Sequence, residues 1–162
     1  MSRPATWRRS ITLYIALAVV AISCAGPPET VSSSSTPLTD QPVPPLDDET
    51  VQRGSDLYQA YCAACHGEDL SGQDDWRTSR EDGSYPAPPH DSSGHTWHHP
   101  DSLLLEIIRD GVDLPQSRMP TFGDRLSDEE ILAIIEFLKS NWGEQERSFQ
   151  WEVTQRENGA GG

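Results

Sequence analysis

Apolar residues recur at helical spacing in three stretches after residue 46, and no stretch shows the alternation of a β-strand. The first predicted helix starts near Asp47, where Asp47 and Asp48 are candidate N-caps, and it leads into Cys62. Its apolar face consists of Val51, Leu57, Tyr58 and Tyr61. The pattern therefore predicts that the first helix ends at a cysteine.

End signals mark two further helices. The second has Pro100 at its first helical position and Gly111 as its stop. The third opens with Ser127 and Glu130, which have the spacing of a capping box. Their apolar positions are Leu103, Leu104, Ile107 and Ile108, and then Ile131, Leu132, Ile134, Ile135 and Leu138. These patterns predict an all-α fold with three or more helices.

The stretch from Gly67 to His99 is polar, rich in glycine and proline, and too long for an idle loop in a compact domain. We expect something other than its own side chains to hold it.

The first 23 residues have the layout of an export signal, with Arg3, Arg8 and Arg9 ahead of the apolar stretch Ile11 to Ile22. As a helix this stretch would rise about 18 Å, whereas a spanning helix crosses roughly 30 Å of hydrocarbon. A permanent transmembrane helix is therefore disfavoured.

The run Ala21-Ile22-Ser23-Cys24 resembles a bacterial lipobox, which implies a lipid on Cys24 that anchors the exported protein to a membrane. An ordinary cleaved signal peptide and an uncleaved anchor are the alternatives. The composition of residues 24–46, rich in proline, serine and threonine, predicts a flexible linker. We expect the domain at 47–142, a tail at 143–162, and a location in the periplasm or on another extracytoplasmic face.

The chain has 162 residues, enough for one domain, and carries 26 acidic residues against 12 Lys and Arg, a formal net charge of −14. Such a charge repels phosphate backbones and anionic headgroups, which argues against nucleic-acid binding and polybasic attachment to membranes. We therefore expect protein partners with basic docking patches.

The most informative motif is Cys62-x-x-Cys65-His66. Two cysteines at this spacing can form thioethers with the two vinyl groups of one haem, and the adjacent histidine can bind the iron. A redox dithiol is the first alternative, but the chain lacks the strand and helix alternation of a thioredoxin-like fold. A zinc site with His95 and His99 is the second, and its gap is longer than zinc fingers use. We predict one covalently attached haem c.

With this motif the chain resembles the class I, single-haem c-type cytochromes of bacteria over roughly residues 47–142. The resemblance rests on Gly54-x-x-x-Tyr58 before the motif, and on Ala87-Pro88-Pro89, Met119-Pro120 and Lys139-Ser140-Asn141-Trp142 after it. It implies a cytochrome c-like fold around one haem, in which the first and closing helices cross near Gly54 with Phe137 as a partner. It also implies that the carbonyl of Pro88 accepts the Nδ1 proton of His66, which fixes the ring and makes it a better ligand.

Fast electron transfer by low-spin haem requires a sixth iron ligand. Met1 is lost with the signal, which leaves Met119, on a loop framed by Pro115 and Pro120. A backbone fixed by proline can present the flexible thioether to the iron. The rival ligands are His90, His95, His98 and His99. Methionine would give a higher reduction potential than histidine, so the potential distinguishes them.

The run from His95 to His99 allows a copper site, a contact patch for a redox partner, or packing along the haem edge. We favour a structural reading over these three, with His99 as the N-cap of the second helix and His98 in solvent. Trp97 then packs over the haem or near its propionates. The remaining tryptophans considered, Trp76, Trp142 and Trp151, are expected to serve packing.

These observations predict an electron carrier rather than an enzyme, with no catalytic residues. It would shuttle electrons between redox proteins at the outer face of a bacterial membrane, with His66 and Met119 as axial ligands. A haem sensor or small haem enzyme with an open sixth position is one alternative. A copper-linked accessory subunit of a redox complex is the other.

Overall fold

The computed structural model describes residues 42–112, 114 and 116–160. These residues form five α-helices and one 3₁₀ turn, and they include no strand. The helices are α1 (Asp48–Tyr61), α2 (Ala63–His66), α3 (Asp101–Asp110), α4 (Asp128–Ser140) and α5 (Glu144–Ala160), and the 3₁₀ turn (Thr96–His98) precedes α3. The predicted all-α fold is confirmed.

The predicted export signal and the predicted lipid site at Cys24 lie outside the described residues. Among the helices that the structure does describe, none has both the length and the apolar character needed to cross a bilayer.

Two predicted helix starts are confirmed by their caps. The Asp47 carboxylate accepts a hydrogen bond from the backbone N–H of Thr50 at 2.8 Å, so α1 begins at the next residue after this cap. At α4 the Ser127 hydroxyl accepts from the backbone N–H of Glu130, and the Glu130 carboxylate accepts from the backbone N–H of Ser127. These short-range bonds explain why the sequence located both starts.

The predicted start of α3 was wrong by one residue. Pro100 is the N-cap rather than the first helical residue, because its ψ of 160° is extended. His99 therefore lies one residue outside the cap and does not cap the helix. The first helical N–H, that of Asp101, donates instead to the hydroxyl of Thr154 in α5 at 3.2 Å. A residue of a distant helix, rather than His99, therefore accepts the hydrogen bond at the start of α3.

Helices α1 and α4 cross at Gly54, as expected. A Cβ at this glycine would lie 1.9 Å from the carbonyl oxygen of Ala133 and 2.9 Å from the Cβ of Phe137. Beside the crossing, the rings of Tyr58 and Phe137 are 5.3 Å apart between centroids. The absence of a side chain at Gly54 thus allows the two helices to touch.

The core lies between α1, α3 and α4 and beneath the loops that join them. Its apolar members are less than a tenth exposed. They are Tyr58, Ala63, Leu70, Leu104, Ile108, Phe122, Leu126, Ile131, Ile134, Ile135, Leu138 and Trp142. Leu57, Cys62, Trp97, Leu105, Met119 and Phe137 are partly buried and pack against this cluster.

Helix α5 occupies the predicted tail, and the sequence pattern did not reveal it. Its buried residues are polar, Gln150 and Thr154, so it has no apolar stripe to recognise. The Gln150 side-chain amide donates to the carboxylate of Asp101 at 2.6 Å, and the Lys139 ammonium donates to the same carboxylate at 2.7 Å. Polar contacts at the start of α3 therefore help to hold α5 in place, and Phe149 of α5 packs against the 3₁₀ turn.

The polar segment 67–99 is held partly by groups outside it. The indole N–H of Trp142 donates to the carbonyl of His90 at 2.7 Å, and the Gln150 amide donates to the carbonyl of His99 at 3.3 Å. Within the segment, Gly72 has φ +70°, and a Cβ there would lie 2.5 Å from the nitrogen of Pro89. The backbone of Gly72 is therefore in close contact with the proline run. The backbone N–H of Gly72 also donates to the carbonyl of His66, so the proline run lies near the end of α2.

Replacing Gly54 by alanine should destabilise the protein, because the new methyl group would collide with a backbone carbonyl that cannot move alone. We expect a loss of about 3 kcal/mol in the free energy of unfolding, the upper end of the usual cost of overpacking. Urea denaturation of the haem-loaded protein would measure it. Gly159→Ala is the control, since Gly159 is exposed near the end of α5 and alanine is favoured in a helix. Equal stability of Gly54→Ala and wild type would contradict the crossing.

Candidate haem site

The junction of α1 and α2 places the three residues of the motif within one short stretch. Cys62 is both the C-cap of α1 and the N-cap of α2, and His66 is the last residue of α2. His66 is buried, Cys62 is partly buried and Cys65 is exposed, and the two cysteines are not joined by a disulfide. Gly67, with φ +84°, ends the turn. Two sulfurs and one imidazole are thus presented from consecutive turns of helix.

Cys62 has an environment that disfavours its thiolate. Burial raises the pKa of Cys62 to about 11, with a further contribution from the neighbouring Cys65. The sulfur is therefore neutral at pH 7.

The imidazole of His66 is oriented by a hydrogen bond across the loop. Its Nδ1 lies 2.8 Å from the carbonyl oxygen of Pro88. A carbonyl only accepts, so Nδ1 carries the proton and Nε2 has the free lone pair. Burial lowers the pKa of His66, and the bond to Pro88 acts in the opposite direction. The ring is therefore neutral at pH 7, in the tautomer that binds a metal through Nε2.

Met119 is partly buried and packs against the same apolar cluster as Cys62. Its backbone N–H donates to the Ser117 hydroxyl at 3.3 Å. The preceding Arg118 forms an ion pair with Asp82, which links this loop to the 67–99 segment. Pro115, the other end of the predicted frame, lies outside the described residues. Ligation by Met119 stays a prediction, supported by its place at the core.

His90 does not have the position of an opposing ligand. Its ring stacks on that of His66, with centroids 4.0 Å apart and planes inclined by 26°. Because the two rings are in stacking contact, there is no room between them for a haem that both could bind. From the sequence, His90 is predicted only as a rival sixth ligand. Its stacking on His66 cannot be inferred from the spacing of the two residues along the chain.

The histidines of the run from His95 to His99 make several different ring contacts. His95 stacks on Trp76 at 5.3 Å and meets the edge of His99 at 5.6 Å, while the exposed His98 lies against Trp97. Within residues 42–112, 114 and 116–160, no three His, Cys, Asp or Glu side chains form a group able to hold a metal ion. The described residues therefore give the copper hypothesis no support.

Two buried polar atoms of this loop have no hydrogen-bond partner, Nδ1 of His95 and Nε1 of Trp97. Buried polar groups are nearly always paired, so such orphans need an explanation. Trp97 also packs against the cluster that includes Cys62 and Met119. A bound group that is largely apolar and carries carboxylates fits these residues, and haem is such a group.

Comparisons with known proteins agree with this geometry. A family model, "Cytochrome C oxidase, cbb3-type, subunit III", matches residues 49–138, a range that contains Cys62, Cys65, His66, Pro88 and Met119. The gluconate 2-dehydrogenase cytochrome c subunit of Pantoea cypripedii is 30% identical over 99 residues. The alignment covers 57% of this chain and 20% of that relative, so the chain spans about a fifth of the relative's length. No solved structure has a significant match.

The family match covers more than half of the chain, from the first turn of α1 to the last turn of α4. The chain therefore belongs to the cytochrome c family described by the subunit III domain of cbb3-type cytochrome c oxidase, which implies covalently bound haem c and haem-based electron transfer.

Proposed function

We propose that this protein is a single-haem, lipid-tethered cytochrome c that carries electrons to or from a dehydrogenase outside the cytoplasm. One observation supports this above the others. The buried His66, directly after two cysteines at haem-attachment spacing, is held by Pro88 in the tautomer that binds a metal.

Each residue of the site has a distinct task in this proposal. Cys62 and Cys65 hold the haem by thioethers, and His66 and Met119 bind its iron through Nε2 and sulfur. Haem c, when bound, supplies one-electron transfer between ferric and ferrous iron. Pro88 keeps the imidazole oriented, and the Met119 thioether favours the reduced state and so a high reduction potential. The chain transforms no substrate and acts as a carrier.

The charge of the chain supports partners with basic surfaces. The two residues that follow Gly67, Glu68 and Asp69, are exposed acids beside the haem motif. With a net charge of −14, the whole chain attracts cationic surfaces at long range. The similarity to a cytochrome c subunit of gluconate 2-dehydrogenase supports a dehydrogenase as one such partner.

Tethering through Cys24 would keep the carrier close to its partners. The sequence of residues 1–24 supports export and lipid attachment, and residues 25–46 would form the linker. The described end of that linker lies against α5, where the Arg147 guanidinium donates to the carbonyl of Pro44 at 2.9 Å.

Haem attachment is tested by intact mass and a pyridine haemochrome spectrum of protein from a host with haem-maturation machinery. We expect the mass of one haem and a c-type spectrum in wild type, because both thiols can form thioethers. A Cys62→Ser/Cys65→Ser variant should lose both. Cys24→Ser is the matched control, and it should keep the haem while losing the lipid. Colourless wild-type protein would refute the proposal.

Methionine ligation is tested by Met119→Ala. Loss of the sulfur should lower the reduction potential, abolish the weak red absorption band of sulfur-ligated ferric haem, and let the ferrous protein bind carbon monoxide. The control is Leu114→Ala, an exposed residue of the same loop, which should change none of these. Carbon monoxide binding by wild type at neutral pH would instead favour a sensor or small enzyme.

The acidic surface predicts opposite salt effects on reactions with oxidants of opposite charge. Oxidation of the reduced protein by cationic tris(phenanthroline)cobalt should slow by at least about tenfold between roughly 0.01 M and 1 M salt, because screening removes the attraction. Oxidation by anionic ferricyanide should speed up over the same range. Stopped-flow absorbance would measure both rates. Parallel salt effects with the two reagents would contradict electrostatic steering by this surface.

A further inference from the structure

The residue whose ring stacks on His66, His90, is held by hydrogen bonds as well as by packing. The His90 side chain forms a hydrogen bond between its Nδ1 and the hydroxyl of Thr96 at 2.8 Å, and Thr96 is itself buried. The backbone of His90 is also fixed at both ends. Its N–H donates to the carbonyl of Leu70 at 2.8 Å, and its carbonyl accepts from the indole of Trp142 at 2.7 Å.

These bonds come from three separate parts of the fold. Leu70 lies just after the haem motif, Thr96 begins the 3₁₀ turn, and Trp142 follows α4. The edge of Tyr58, from α1, approaches the ring of His90 with centroids 6.4 Å apart. The plane of the His90 ring is therefore fixed by contacts from several parts of the tertiary structure.

The plane of the His66 ring requires a second restraint beside its hydrogen bond. Its hydrogen bond to Pro88 determines where Nδ1 points, but a single bond leaves the ring some freedom to tilt about that direction. A second ring at 4.0 Å, nearly parallel, removes that freedom. The bond and the stack together therefore determine both the direction and the plane of the imidazole.

We propose that His90 is a positioning residue for the iron ligand His66: it sets the plane of the ligand ring and places a polar ring in contact with it. This inference rests on the proposed function, since it assumes that His66 binds haem iron. Leucine would fill a similar volume, but it could not hold a fixed plane through Thr96. Being apolar, leucine would also stabilise the extra positive charge of the ferric state less well.

Two variants separate positioning from space filling. His90→Leu removes the ring and its hydrogen bond, and Thr96→Val removes only the hydrogen bond at nearly constant shape. His98→Leu is the matched control, because His98 is exposed and does not contact His66. Each protein is prepared with haem attached. Its midpoint potential is then measured by optical redox titration, and the g-values of its ferric state by low-temperature electron paramagnetic resonance.

We expect His90→Leu to raise the midpoint potential, because leucine stabilises the ferric state less well. We also expect it to change the g-values, because the g-values report the plane of the His66 imidazole. Thr96→Val should produce a smaller change in both, and His98→Leu should match wild type. Unchanged potential and g-values in His90→Leu would overturn the inference. If His90→Leu fails to retain haem, Thr96→Val decides: a shift in its g-values supports the inference, and wild-type values overturn it.

The same preparations distinguish this inference from the function on which it rests. Wild-type protein without haem would refute both. Wild-type protein with haem, together with unshifted variants, would refute only the positioning role of His90.

Discussion

The contact between α1 and α4 at Gly54 is the constraint on which the rest of the structure depends. Because a hydrogen replaces a side chain there, the backbone of α1 touches the carbonyl of Ala133, and the direction of α1 is determined by α4. The haem motif begins where α1 ends, so the same contact determines where Cys62 and His66 lie. A packing contact two turns of helix before the motif thus positions the cysteine and histidine side chains of the motif.

The 67–99 segment contributes the remaining part of the candidate haem site. Hydrogen bonds, rather than an apolar face, hold this segment in place. Gly72 lets the proline run approach closely, Pro88 holds His66, and Trp142 holds His90. The bonds of Pro88 and His90 join the loop to His66 at the end of α2 and to Trp142 after α4. A loop of this composition would not fold alone, because it has too little apolar surface to offset the entropy of ordering it.

Helix α5 lies beyond the family match and contributes contacts that the four preceding helices lack. It supplies the hydroxyl of Thr154 to the first turn of α3 and the amide of Gln150 to Asp101 and His99. Lys139 of α4 reaches the same Asp101 carboxylate. The start of α3 is therefore joined to both neighbouring helices by charged and polar groups, which tie the His95 to His99 loop to the body of the protein.

Features that depend on near neighbours in the chain could be predicted from the sequence. Caps at Asp47 and Ser127 and the apolar periodicity of α1, α3 and α4 are signals within one or two turns, and the Cys62-x-x-Cys65-His66 spacing is equally local. Only the packed structure shows that a polar tail becomes α5, that Pro100 caps α3 rather than starting it, and that His90 stacks on His66. Each of these depends on groups tens of residues apart, such as Thr154 with Asp101 and Trp142 with His90. No periodicity records such pairs, because the geometry that joins them exists only after the helices have packed.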